Sequence, residues 1–406
     1  MTSDHPAAPV RVLRIIARLN VGGPAIHVAL LTAGLRDGVF HSELVAGRLN
    51  PGEGDMSYLA RRLGVEPIIL PTMQREINPL GDLRTLWHLV RLMRRYRPHV
   101  VHTHTAKAGF VGRFAALLVG VPAIVHTFHG HVFYGYFGRL KTGLFLWLER
   151  LSARYSDVIL TLSEGLRREL IAYRIAPPEK IRVIPLGFDL TPFADLDAVR
   201  GRFRAGLGLS TGTPLVGIIG RLVPVKNHEL FLQAARQVHA AVPEARFIVI
   251  GDGERRAALE QMTHDLGLDD RVIFTGWRQD LPAIYADLSL LVISSHNEGT
   301  PVSLIEAMAC GVPVVSTAVG GVPDLLQGGR LGALVQPGDV DGLANAIIAA
   351  LLADPTDQVE QAREQVWQQY DGQRLAADMR ALYGEILARK GAWPQEDAGD
   401  IPVRSL

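Results

Sequence analysis

SSHNEGTPVSLIEAMACGVPVV, residues 294–315, is the stretch whose reading decides the rest of the chain. It follows an apolar run at residues 288–293 that suits a buried strand. Thr300 is placed to cap a helix starting at Pro301, because proline is tolerated at the first helical position and a cap hydroxyl satisfies an orphan N–H. Leu304, Ile305 and Met308 give that helix an apolar face, Gly311 ends it, and residues 313–315 begin another strand.

A helix N-terminus offers unpaired N–H groups and partial positive charge to a phosphate. Glu298, in the loop before the helix, and Glu306, within it, would flank that phosphate and accept hydrogen bonds from sugar hydroxyls. A solvated loop acid and an ordinary surface helix glutamate are the plain alternatives.

The spacing Glu298-x7-Glu306 inside EGTPVSLIEAMACGVPVV resembles the signature of the family-4 retaining glycosyltransferases of the GT-B fold. That resemblance implies that Glu298 contacts the donor sugar and Glu306 the nucleotide ribose. Gly299, Thr300, Pro301 and Val302 would lie against the sugar and diphosphate.

Outward from this stretch, 406 residues at 48% apolar content suit two domains with their own cores. The single cysteine, Cys310, sits on the apolar side of the helix and reads as a buried thiol, with no disulfide framework available. Residues 1–9 do not read as a secretory signal, and no apolar run reaches the length of a membrane-spanning helix. Residues 1–190 hold 24 Lys+Arg against 14 Asp+Glu, and the remainder 18 against 27, so a basic half precedes an acidic one. Such a basic half suits an anionic partner, unless the drift is chance.

In chain order, residues 12–16 read as a strand, followed by a loop carrying Gly22 and Gly23 and a helix from Pro24 to Leu35. VGGPAIH is not GxGxxG, so no nicotinamide cofactor is indicated. The resemblance implies that this Gly-Gly turn closes on the donor diphosphate. Residues 81–96 form an amphipathic basic helix. Leu83, Leu86, Trp87, Val90 and Met93 lie on one face, either packed inward or laid on an anionic membrane. His102 and His104 alternate on the next strand without a zinc-type Cys/His set, and Lys107 would suit an anionic acceptor.

HTFHGHVFYGYFG then follows a strand at residues 123–125, at the edge where open α/β sheets bind ligands. By resemblance His129 is the histidine near the reacting centre, with His131 as the alternative. A second aromatic, basic stretch at residues 134–155 adds to a membrane-facing or lipid-acceptor role.

In the second half, Arg221-x4-Lys226 follows the strand at residues 215–219 and resembles the family's diphosphate clamp. Two fixed cations there stabilise the charge that builds on a departing nucleoside diphosphate. Loops at Gly251 and Trp277 would bracket the nucleobase. Asp195-x-Asp197 reads as structural.

The expected architecture is α/β, GT-B, with two Rossmann-like domains and a deep inter-domain cleft. Residues 1–190 form the acceptor-side domain, 191–213 a linker, 214–366 the nucleotide-sugar domain, 367–390 a helix packing back on the first domain, and 391–406 a loose tail. The expected activity is retaining transfer of a hexose or hexosamine, from a UDP-sugar by family frequency, to a saccharide or lipid-linked acceptor in cell-surface glycan synthesis. Glu298, His129, Arg221 and Lys226 carry it, with no cofactor, metal or nucleic acid. The expected location is the cytoplasm, with peripheral contact at the inner membrane face left open. A nucleotide-sugar epimerase and a non-enzymatic nucleotide-sugar-binding regulator are the alternatives.

Overall fold

The computed structural model describes residues 8–50, 53–74, 78–130, 139–353 and 355–394. The chain divides into two units, residues 1–188 with 372–406, and residues 189–371. The sheets are all-parallel, so their strands are covered on both faces and read as continuous apolar runs rather than alternating ones.

The sheet of the first unit contains β1 (Val10–Ile16), β2 (Phe40–Gly47), β3 (Ile68–Leu70), β4 (Val100–His104), β5 (Ala123–Thr127), β6 (Val158–Thr161) and β7 (Ile181–Val183). Their order is β3-β2-β1-β4-β5-β6-β7. Every residue of β1, β4 and β5 is buried, including Arg14, His102, His104 and His126. Burial of that many polar groups requires partners, and β1 and β4 find theirs on the C-terminal helix Gly372–Arg389. Tyr383 of that helix accepts from Arg14 Nη2 at 3.2 Å, and its hydroxyl lies 2.7 Å from His102 Nδ1. Arg14 also donates to Thr32 and Ser42, at 3.0 and 2.8 Å.

The sheet of the second unit contains β8 (Leu215–Ile219), β9 (Arg246–Ile250), β10 (Val272–Gly276), β11 (Leu290–Ile293), β12 (Val314–Thr317) and β13 (Ala333–Val335), in the order β10-β9-β8-β11-β12-β13. Its core joins Val216, Phe247, Val249 and Val292 to Phe231 and Leu343 from covering helices. Both orders reverse direction once, between β1 and β4 and between β8 and β11. The carboxyl ends of those strands are where such sheets bind ligands.

Two boundaries differ from the sequence reading. Residues 191–213 are part of the second unit, not a linker. The buried Asp287 carboxylate accepts from Gly201 N at 2.6 Å and Arg204 N at 2.9 Å, anchoring the short helix Arg202–Gly206. Trp367 belongs to the helix Thr356–Tyr370 of the second unit, its indole donating to Ala309 O at 3.2 Å. The return to the first unit comes at Gly372, whose N–H bonds Phe188 O at 2.9 Å. Residues 391–394, expected in the tail, still pack: Trp393 meets the Phe40 ring edge-on at 6.4 Å.

The helix Pro79–Tyr96 starts at Asn78, whose side chain accepts from Gly81 N. Its inward face is Thr85, Leu89, Leu92, Met93 and Tyr96. Leu83 and Trp87, two members of the expected stripe, instead face out at 63% and 56% exposure, with Leu80 beside them. Arg91 lies over the Trp87 ring at 5.5 Å. Among the described residues no helix is long and apolar enough to cross a membrane.

Candidate active site

In the second unit the loops after β8 and β11 flank the reversal point, and they carry the residues singled out by spacing. Lys226 ends a short 3-10 turn, Pro224–Lys226, and its Nζ lies 2.6 Å from Glu298 Oε1. Ser295 Oγ donates to the same oxygen at 2.6 Å. The two loops are also tied through the backbone, His296 N to Val225 O at 2.9 Å and Ser294 Oγ to Asn227 O at 2.8 Å. Lys226 and Glu298 are thus held as a pair. Arg221, in the same β8 loop, is exposed.

Gly320 secures Glu298 from the other side. At φ +53 it sits in the left-handed region, and a Cβ there would fall 1.6 Å from Glu298 O. Gly321 N then donates to Gly299 O at 2.9 Å. Gly251 plays the equivalent part after β9: at φ +136, a Cβ would lie 1.9 Å from Gly220 O, so only glycine lets these loop backbones meet. The Gly251 N–H bonds Gly276 O at 3.0 Å, and Trp277 beyond it is 57% exposed.

The helix after Glu298 runs Val302–Ala309, one residue later than expected. Pro301 is its N-cap, in an extended conformation, and no side chain caps it, so Thr300 does not take that role. Glu306 Oε2 accepts from the buried Tyr285 hydroxyl at 2.8 Å. Glu306 is partly exposed as a residue, with protein crowding its carboxyl. Burial pushes it up to about 7, against the opposing effect of the Tyr285 hydrogen bond. Cys310, expected to be buried, is partly exposed; what burial it has, and the nearby Glu306 charge, raise its thiol.

In the first unit, His104 ends β4 and His129 follows β5, and His104 Nδ1 lies 2.9 Å from His129 Nε2. Burial lowers His27, His102, His104 and His126 well below the ordinary histidine range and holds His129 at about 3. His129 is partly exposed as a residue, but its Nδ1 is buried and its Nε2 meets His104. His131, the alternative, lies outside the described residues. Gly22 caps the helix Gly23–Gly34 at φ +155, as the glycine loop required. Lys107, expected to meet an anionic acceptor, is paired with Asp82 at 2.6 Å.

Two features escaped the sequence reading. His27, on the helix after the glycine loop, reaches His129, with ring centroids 5.1 Å apart. Thr105, between β4 and the helix Ala106–Val119, holds φ +66 and ψ 155, a conformation costly for any residue with a Cβ. Neither carries a local signal, because the first depends on contact between distant segments and the second on backbone geometry.

Two parallel α/β units, the second with its cation and carboxylate loops at the sheet reversal, define a GT-B glycosyltransferase. Residues 22–187 match the family described as "Glycosyl transferase 4-like domain", and residues 213–354 that described as "Glycosyl transferases group 1". The chain belongs to this family of glycosyltransferases.

Among curated relatives, it is 31% identical to the Escherichia coli UDP-Gal:alpha-D-GlcNAc-diphosphoundecaprenol alpha-1,3-galactosyltransferase, over 79% of this chain and 86% of that protein. It is 29% identical to the Streptomyces kanamyceticus 2-deoxystreptamine glucosyltransferase, over 79% and 88%. Among solved structures, Anabaena HepE in complex with UDP and glucose superposes with a TM-score of 0.79 at 22% identity, covering 93% of this chain and all of that one. The activity is therefore that of a transferase, not of an epimerase or a binding regulator.

Proposed function

We propose that this chain transfers a hexose or hexosamine from a UDP-sugar, with retention at the anomeric carbon, to a lipid-linked or saccharide acceptor of surface glycan assembly. The observation that carries the donor side is the Lys226–Glu298 pair at the sheet reversal, next to Arg221. The E. coli relative, a UDP-Gal enzyme acting on a diphosphoundecaprenol acceptor, supports the carrier and the acceptor class.

Arg221 and Lys226 stabilise the negative charge that grows on the leaving diphosphate, so the donor chemistry needs no metal. Glu306 accepts from the ribose hydroxyls, and Gly251 and Trp277 border the base. Gly299, Thr300, Pro301 and Val302 lie along the diphosphate and sugar. Glu298 holds Lys226 and Ser295 on Oε1, which leaves Oε2 to accept from a sugar hydroxyl. A carboxylate neutralised in this way is a poor covalent nucleophile. Attack of the acceptor on the face that the diphosphate leaves, helped by that phosphate, is the mechanism the pair supports. On the first unit, His129 lines the acceptor side.

The exposed row Leu80, Leu83 and Trp87, bordered by the exposed Arg84, Arg91 and Arg94, gives the first unit a face for an anionic lipid surface. Helices beside it add exposed Leu118 and Trp147. Such contact would keep a cytoplasmic enzyme at the inner membrane face, where a lipid-linked acceptor resides.

The test is thermal stabilisation by UDP, GDP, ADP and dTDP on the wild type and on Arg221→Ala/Lys226→Ala. A shift with UDP alone, lost in the double variant, is expected. No shift with any diphosphate at millimolar concentration overturns the donor-site assignment, and a shift with another diphosphate overturns the carrier.

A further inference from the structure

The Glu306 carboxyl, the acceptor proposed for ribose hydroxyls, is held by a single phenol from another segment of the second unit. Tyr285 lies on the helix Leu281–Asp287, and its hydroxyl is 2.8 Å from Glu306 Oε2 and 3.2 Å from Ser303 O. Ser303 precedes Glu306 by about one turn of the helix Val302–Ala309, so the phenol oxygen sits against two acceptors on one helix face. No other side-chain bond to this carboxyl is found among the described residues.

Packing fixes Tyr285 in turn. The residue is 1% exposed, and its ring meets Phe193 edge-on with centroids 5.8 Å apart. Two positions further on, Asp287 ties the same helix to Gly201 N and Arg204 N. A side chain locked in this way can hold a binding group in one orientation.

The hydroxyl serves the carboxyl in either protonation state. Burial raises the phenol far above its usual range, so it keeps its proton. With Glu306 ionised, the phenol donates to Oε2. With Glu306 protonated, the phenol can turn its proton to Ser303 O and accept from the carboxyl. Burial pushes the carboxyl up to about 7 and the Tyr285 bond opposes that rise, so the bond also favours the ionised form, the stronger acceptor. A carboxylate has about four acceptor sites on two oxygens, and one phenol leaves the rest for a diol.

We propose that Tyr285 is a positioning residue for nucleotide binding, fixing the Glu306 carboxylate in the orientation that accepts from the 2′ and 3′ hydroxyls of the ribose. Tyr285 acts through Glu306 and does not touch the nucleotide. The inference rests on the reading of Glu306 as the ribose acceptor and of UDP as the carrier.

Calorimetric titration of the full-length protein at pH 8 with UDP and with 2′,3′-dideoxy-UDP tests it, on the wild type, Tyr285→Phe, Glu306→Ala and the double variant. The wild type should prefer UDP by at least about tenfold. Tyr285→Phe keeps the ring against Phe193; it should bind UDP about tenfold more weakly and the dideoxy compound within about twofold of the wild type. In the Glu306→Ala background the same change should cost less than about twofold, because the group it acts through is gone. A wild type that binds the two ligands alike, or neither, refutes the ribose reading of Glu306 and the Tyr285 role with it. A wild type that prefers UDP, beside a Tyr285→Phe protein with the same preference, refutes the Tyr285 role alone. Equal weakening of both ligands is the mark of a merely structural phenol and does the same. Should Tyr285→Phe fail to fold by its melting curve, Tyr285→Met, whose flexible chain fills the site without a hydroxyl, takes its place in the comparison.

Discussion

Replacing Glu306 by glutamine should stabilise the ligand-free protein and weaken its hold on a nucleotide. The Glu306 carboxyl is raised from an ordinary 4.5 to about 7 by burial. Between those values the folded chain keeps a proton that the unfolded chain has lost, so this group's contribution to stability falls as pH rises from 4.5 to 7 and stays low above it. Holding the ionised carboxyl in place costs about 3 kcal/mol. Glutamine keeps an acceptor for Tyr285 and cannot ionise. The gain in Glu306→Gln should therefore be under about 1 kcal/mol at pH 5 and about 3 kcal/mol at pH 8.

Residues 189–371 form a unit of the size for which 1 kcal/mol moves the melting point by about 2–4 °C, so the second unit should melt about 6–12 °C higher at pH 8. Differential scanning calorimetry at the two pH values reads this directly. UDP should narrow the gap, because an ionised acceptor for ribose hydroxyls is worth about 1.5–3 kcal/mol and the variant lacks it. Between pH 6 and 8 the ionised fraction of Glu306 changes about tenfold, so UDP affinity should rise about tenfold more in the wild type than in the variant. Comparison with the variant removes titration of UDP itself. A variant that melts no higher than the wild type at pH 8, or whose UDP affinity follows pH identically, refutes the reasoning.

Two other substitutions probe support at a distance from the ligand. Gly320→Ala forces a Cβ onto Glu298 O and should displace the loop, lowering kcat by about a hundredfold with circular dichroism unchanged; an active variant would show that the loop position is not critical. Glu149→Ala leaves the Arg113 guanidinium, 1% exposed and 2.6 Å from the Glu149 carboxylate, buried without its counter-charge. A loss of about 3–5 kcal/mol in denaturant unfolding is expected, and a loss under about 1 kcal/mol would mean that the arginine finds another partner or water.

The strand–loop–helix arrangement around Lys226, Glu298 and Glu306 was legible because its parts are local. Glu298 and Glu306 lie on one loop and one helix, and Arg221 and Lys226 on another loop. Fixed spacing on a strand–loop–helix unit therefore carries their relation. Thr300 was misread as a cap because proline suits either side of a helix start, and only the backbone angles of Pro301 distinguish them. On the helix Pro79–Tyr96 the sequence showed an apolar arc without revealing which part of it meets the sheet. Leu89 and Leu92 turned inward, and Leu83 and Trp87 did not. His27 carries no local signal, because the histidines it meets arrive from β4 and from just past β5. Tyr383 was unreadable for the same reason, being 281 positions from His102.

The reach of Tyr383 bears on the order in which the chain is completed during synthesis. Strands β1 and β4 leave the ribosome early, but the one hydroxyl that Arg14 and His102 share, that of Tyr383, comes from the helix Gly372–Arg389. Leu375, Met379, Leu382 and Ile386 of that helix also fill the core against Val10, Val12 and Leu31. The second unit is one uninterrupted segment and has all its parts as soon as residue 371 emerges. The half that is translated first is thus the half that finishes last. Until the final helix docks, a nascent chain carries a buried-type arginine and histidine on an uncovered sheet, a state that exposes apolar surface to aggregation and proteolysis.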